Sequence, residues 1–235
     1  MATTVAYALE WDKETDKIYE SGVNHGVLYV KNTGAAAQNA EYGEGVVWNG
    51  LTSVSENSEG GEPNDVYADN IKYLSIPSNE DAGLAIEAYT YPDEFAECDG
   101  SKEAVTGLLA HQQPRKKFGF VYSTKIGDND VGLEKGEKIH IYYNCLAAPS
   151  ERSYQTINDS PEAITFSWDV STTPVSVDPS LGLKPLAHIT IDSTKLTEAK
   201  LESLKQLLYG TKGEGQSAGT APRLPSIGEI ITLLH

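Results

Sequence analysis

Residues 117–147, KFGFVYSTKIGDNDVGLEKGEKIHIYYNCLA, decide the fold class. Phe118, Phe120, Tyr122 and Ile126 recur with period two and share one face with Thr124. Ile139, Ile141, Tyr143 and Cys145 then repeat at every second position. Period-two alternation over runs this long predicts two half-buried strands, and the Gly/Asp/Asn-rich stretch 127–136 predicts a hairpin loop joining them. The same pattern continues in EAITFSWDVS (162–171), where Ile164, Phe166, Trp168 and Val170 point one way. It recurs in PLAHITIDS (185–193).

Upstream, GVLYV (26–30), IKYLSIP (71–77) and LAIEAYTY (84–91) read as strands. GVVWNGLTSVSEN (45–57) reads as two strand pieces around Asn49-Gly50, a dipeptide suited to hairpin turns. ENSEGGEPNDVYADN (56–70) carries paired glycines and a proline without apolar periodicity. It predicts a long, mobile loop that orders only against a neighbouring subunit. Near the C-terminus the period changes. TEAKLESLKQLLYG (197–210) sets Leu201, Leu204 and Leu208 on one helical face, with Thr197 as N-cap and Gly210 as the stop. A Gly/Ser/Pro linker (211–225) then leads to SIGEIITLLH, where Ile227, Ile230, Ile231 and Leu234 fit a short amphipathic helix. The expectation is a mainly β (α+β) sandwich or barrel over 1–209 with one helix packed on it. Residues 210–235 are read as a flexible linker and short arm, docked on its own domain or on an adjacent subunit.

The formal charge is −16, and residues 32–101 carry −13 of it, with fourteen acids against Lys72. Such a surface does not grip nucleic acid, because that affinity comes from neutralising phosphates with Lys and Arg. It is suited to facing DNA without holding it. No run of 18 apolar residues predicts a membrane helix, and the N-terminus lacks the pattern of a signal peptide. A soluble protein of the cytoplasm is expected. Cys98 and Cys145 are expected as buried free thiols.

No nucleophile elbow, phosphate loop, dinucleotide fingerprint or zincin motif occurs. The five histidines are never within four residues of one another, so a zinc site would need long-range pairs and none is expected. Residues 128–139 begin like a calcium loop, but Leu133 and Ile139 stand where glycine and glutamate are required. In IEAYTYPDEFAECDGS (86–101), Asp93, Glu94, Glu97 and Asp99 crowd around Phe95 and Cys98. A surface helical turn over a buried Phe95, with Asp93 as its cap, accounts for them better than a glycosidase pair does. No catalytic, cofactor-binding or metal residue is expected.

Several stretches resemble the major tail protein, or tail tube protein, of long-tailed siphovirus-type bacteriophages. They are YALEWDKETDKIYESGVNHGVLYV (7–30), VVWNGLTSVSE (46–56), VYADNIKYLSI (66–76), LAIEAYTYPDEFAECDGS (84–101), KIHIYYNCLAAPSERSYQTINDSPEAITFSWDVSTTPV (138–175) and TIDSTKL (190–196). The resemblance spans 7 to about 210 and covers the end only weakly. It implies a tail-tube β-barrel fold and six-membered rings that stack into the conduit for genome ejection. The implied partners are other copies of the chain, the tape-measure, tail-tip and tail-terminator proteins, and DNA passing without specific binding. The implied setting is the virion tail, with the host cytoplasm during assembly, and no enzyme activity or cofactor. Glu87, off the apolar face of its strand, is the candidate lumen residue. Glu56, Glu59, Glu62, Asp65, Tyr67 and Asp69 are the candidate inter-subunit contacts. The alternatives are a β-sandwich binding module, such as a surface decoration or carbohydrate-binding domain, and a hydrolase whose carboxylates converge only in the fold.

Overall fold

The computed structural model describes residues 17–38, 40–157, 159, 162–213 and 218–235. The first part of the stretch 7–30 and the centre of the 211–225 linker lie outside the described residues. The chain is mainly β. Among the described residues twelve strands run β1 Ile18–Val30, β2 Val46–Trp48, β3 Leu51–Gly60, β4 Asn64–Ala68, β5 Ile71–Ile76, β6 Glu80–Ala88, β7 Lys102–Val105, β8 Leu108–Ala110, β9 Phe118–Asp128, β10 Gly132–Ala147, β11 Phe166–Ser171 and β12 His188–Asp192. Two helices follow, α1 Glu198–Tyr209 and α2 Ile227–Leu234. Among the described residues no helix is long and apolar enough to cross a membrane.

The β9–β10 hairpin forms as the alternation predicts and is the spine of the molecule, although its loop is only 129–131: the rest of the expected loop 127–136 is paired strand, because the backbone ladder continues through the polar residues. Around it the strand order is β2-β1-β9-β10-β11-β6-β3, with β12 also paired to β10. β10 serves two sheets. Residues 138–142 pair with β12, whereas Leu146 and Ala147 pair with β11. The switch falls at a bulge between Tyr142 and Cys145, where Asn144 has φ +50°. One extra residue reverses which face each later side chain takes. Ile139, Ile141 and Tyr143 therefore point into one core and Cys145 and Ala147 into the other. This corrects the shared face expected for Ile139 through Cys145: strict alternation holds only as far as Tyr143.

The first core lies between the two sheets. Trp48 packs against Phe95 at 4.5 Å and Trp168 at 5.6 Å between ring centres, and Phe95 against Phe118 at 5.5 Å. Phe95 comes from a 3-10 turn over Asp93–Glu97, so the acidic stretch is indeed a turn over a buried ring. Its N-cap is Pro92 without a side-chain bond, not Asp93 as expected. Proline cannot donate and already sets the extended entry to the turn. Asp99 pairs with Arg152 and Glu97 with Lys116. Cys98 and Cys145 are buried free thiols, and burial pushes the Cys98 thiol up to about 12.

The second core covers the opposite face of the β9–β10 hairpin. Val121, Ile139, Ile141 and Tyr143 meet Leu204 and Leu208 of α1 and Ile227 and Ile230 of α2. The C-terminal arm thus docks on its own chain. The Tyr143 hydroxyl donates to the Pro225 carbonyl at 2.9 Å, and the Gly45 amide to the Pro222 carbonyl at 3.0 Å. Leu224 lies so close over Gly119 that a Cβ there would meet it at 2.3 Å, which explains glycine inside a core strand.

Ser226 and Glu229 form a reciprocal capping box at the start of α2, and Arg223 donates two 3.1 Å bonds to Glu229. The guanidinium of Arg223 holds the Glu229 carboxyl below its ordinary value. A lowered carboxylate stabilises the fold above its unfolded pKa and loses that contribution as pH falls through the folded one. Glu229→Ala is expected to cost about 1 kcal/mol at neutral pH, a melting shift of about 2–4 °C. Melting scans should show the wild-type and variant curves converge below about pH 4.

Two further sequence expectations fail in the acidic segment 32–101. Asn49-Gly50 does not close a hairpin: β2 pairs with β1 and β3 with β6, so the turn carries the chain from one sheet to the other. Nor is 56–70 a loop. Glu56–Gly60 extends β3 along Glu80–Leu84 of β6, and Asn64–Ala68 pairs with Ile71–Ile76. A strand whose two faces are both wet needs no apolar alternation, because its ladder is made by the backbone. Asp69 and Asn70, with φ +52° and +66°, close the β4–β5 hairpin in the left-handed geometry that favours tight turns.

Candidate functional site

The register of β3, β6 and β11 builds a polar surface on the side away from the first core. Leu84, Ile86, Trp168 and Val170 point inward, so their neighbours point out. Three cross-strand rows result: Ser53–Glu87–Ser167, Ser55–Ala85–Asp169 and Asn57–Gly83–Ser171. Glu59 and Asp81 form the next rung. Every side chain in these rows is small, hydroxylic, amidic or acidic. Glu87 is exposed at the centre of its row and accepts a 2.9 Å bond from the Ser53 hydroxyl. The surface is wet and negative, it is indented by an open cavity of about 420 Å³ lined in part by Asn57, Glu59, Asp81, Asp169 and Ser171, and none of its rows carries a lysine or arginine.

The remaining candidate residues disperse. Glu59 is exposed on β3 and Glu62 lies in the short connection to β4. Asp65 pairs with Lys72 at 2.7 Å and accepts from the Ser75 hydroxyl at 2.6 Å, and these two bonds lower its pKa. Asp69 sits in the β4–β5 turn. Tyr67 stands on the hairpin with 68% of its surface exposed. Beside it Ile71, Tyr73 and Ile76 are each more than half exposed, and Val66 and Leu74 more than a third. None of the hairpin's residues belongs to either core. The β7–β8 hairpin repeats the pattern with exposed Val105, Leu108 and Leu109. Tyr154 and Ile157 are exposed on a stretch without strand or helix.

Glu56 is different. Its parity in β3 turns it inward, toward the end of the first core, where it meets residues of the other sheet. Tyr122 donates its hydroxyl to Glu56 Oε1 at 2.8 Å. His140 Nδ1 lies 3.0 Å and His188 Nε2 3.6 Å from the same oxygen. The rings are stacked in pairs, Tyr122 on His140 at 4.6 Å and Tyr142 on His188 at 4.0 Å. Burial works to raise the Glu56 pKa, but the Tyr122 hydroxyl and the two imidazoles outweigh it and hold the carboxyl below its ordinary range. Burial lowers both histidines against the pull of Glu56. The sequence reading placed Glu56 in an intersubunit loop and expected no histidine cluster. The structure moves Glu56 into a strand and brings two histidines to it. His140 and Tyr122 share a rung of the hairpin already legible in the alternation, but no local pattern connects them to Glu56.

No family model matches the chain, and no curated protein matches it. Among solved structures, a chain of the six-fold symmetrised cryo-EM structure of the anti-feeding prophage (AFP) baseplate is similar at a TM-score of 0.35 and 8% identity. The match covers 83% of this chain and 100% of that chain. A likeness at that level neither fixes the fold nor speaks to function.

Proposed function

We propose that this chain is a structural virion subunit that self-assembles into six-membered rings, stacked as a tail tube that conducts the genome. The observation that carries the reading is the polar, acidic outer face of β3, β6 and β11, read as the lumen wall. A conduit wall must not bind what passes it. Each Lys or Arg facing the path would capture a phosphate, and the delay would repeat at every ring. The field is screened over about 8 Å at physiological salt, so the groups that matter are those nearest the DNA. The apolar β4–β5 and β7–β8 hairpins suit the complementary task. A two-stranded hairpin is marginal alone in water, and head-to-tail contacts between copies would cover them and close a ring. The sequence resemblance to tail tube proteins supports the same reading.

Negative-stain microscopy and sedimentation at high protein concentration test it. Rings or tubes are expected, and a protein that stays monomeric even with tail-tip complex supplied overturns the proposal. Glu87→Lys tests the wall itself. Its tubes should assemble normally but slow genome ejection, because each ring then carries a collar of phosphate-binding cations. Normal ejection, or a tube map with Glu87 on the outside, rejects the lumen assignment.

A further inference from the structure

The Glu56–His140–His188 cluster has the composition and spacing of a transition-metal site. We propose that Glu56 Oε1, His140 Nδ1 and His188 Nε2 bind a divalent ion of the zinc type, tying β3 of one sheet to β10 and β12 of the other.

The three ligand atoms all lie within 4.8 Å of one another. Zinc bonds of about 2.0–2.1 Å in tetrahedral array set ligand atoms about 3.3 Å apart. The separations of 3.0 and 3.6 Å from Glu56 Oε1 bracket that value. Two imidazoles and a carboxylate are also the donor set that zinc takes when it keeps a fourth position open. The surrounding groups fit the same role. Thr124 Oγ1 lies 3.4 Å from His140 Nε2, so it can accept that N–H and leave Nδ1 free to ligate. The stacked Tyr122 and Tyr142 rings fix the imidazole planes, only 2° and 9° from their own. Thr190 Oγ1 stands 3.2 Å from His188 Nε2 and 3.5 Å from His140 Nδ1, within reach of either nitrogen when no ion is bound. His140 is buried, whereas the Glu56 side chain keeps 45% of its surface exposed, which gives an ion and its water a way in. Without the ion, the alternative His140 tautomer donates from Nδ1 to Glu56, and the cluster is a hydrogen-bonded tie only.

The test titrates the chelator-stripped full chain with zinc chloride and follows bound metal, melting temperature and, with cobalt(II), the absorption of a tetrahedral site. One ion per chain is expected, with a rise in melting temperature of about 5–10 °C at a hundredfold excess over Kd. Glu56→Gln keeps the shape and the bond from Tyr122, and His188→Gln keeps a polar group at its strand end. Each should lose more than the 10- to 100-fold in affinity that even an outer-sphere partner costs, with circular dichroism unchanged. A triple His25→Gln/His111→Gln/His235→Gln variant should bind as wild type. Absence of zinc binding by the wild-type chain overturns the proposal. So does binding that survives both ligand substitutions, or that disappears with the three outlying histidines.

Discussion

Truncation after Gly210 is expected to leave a chain that no longer holds its native fold at 25 °C. The removed segment contributes Leu224, Ile227 and Ile230, each at most 8% exposed, to the core beneath α1. Burial of an aliphatic side chain contributes about 1.5–3 kcal/mol. Three of them amount to about 5–9 kcal/mol, comparable with the whole stability of a typical domain, about 5–15 kcal/mol. Tyr143 would also lose the carbonyl its buried hydroxyl bonds, a further cost of about 1–3 kcal/mol. Circular dichroism melting and near-ultraviolet spectra of the truncated chain check this. Ile227→Asp/Ile230→Asp in the full-length chain should reproduce the loss with every residue of the linker present. A truncated protein melting within about 2 °C of the full chain would show that the arm is an accessory to a self-sufficient core.

The triple substitution Tyr67→Thr/Ile71→Thr/Tyr73→Thr should do the reverse, sparing the monomer and abolishing the self-assembly proposed above. Threonine retains the strand preference of the hairpin while removing its apolar surface. The three side chains are each at least 64% exposed and lie outside both cores, so the melting temperature should move by no more than about 2 °C. If these residues anchor a contact between copies, each contributes about 2 kcal/mol or a little less. Together they amount to about 5 kcal/mol, more than a thousandfold in association. Sedimentation and microscopy across a concentration series give the readout. Tubes formed by the triple variant at the wild-type concentration would rule out the β4–β5 hairpin as the assembly surface.

The sequence by itself determined the local elements whose side chains repeat in register with the backbone. The alternation through Phe118, Phe120 and Tyr122 gives β9, that of Ile139, Ile141 and Tyr143 gives most of β10, and Leu201, Leu204 and Leu208 give α1. The inward turn of Phe95 and Cys98 and the outward turn of Glu87 were legible for the same reason. Each follows from which side of its own element a residue occupies. Only the tertiary structure decided what those elements meet. The bulge at Asn144 sends Cys145 into the opposite core. β3 pairs with β6 instead of β2, and that pairing makes a strand of the Gly- and Glu-rich stretch 56–60. The same pairing, carried across the sandwich, delivers Glu56 to His140 and His188. Strand pairing joins backbones that are distant in the chain through hydrogen bonds that any residue but proline can make. Side-chain periodicity therefore reports the face a residue takes, while its partner across the sheet or the sandwich is set only when the sheets close.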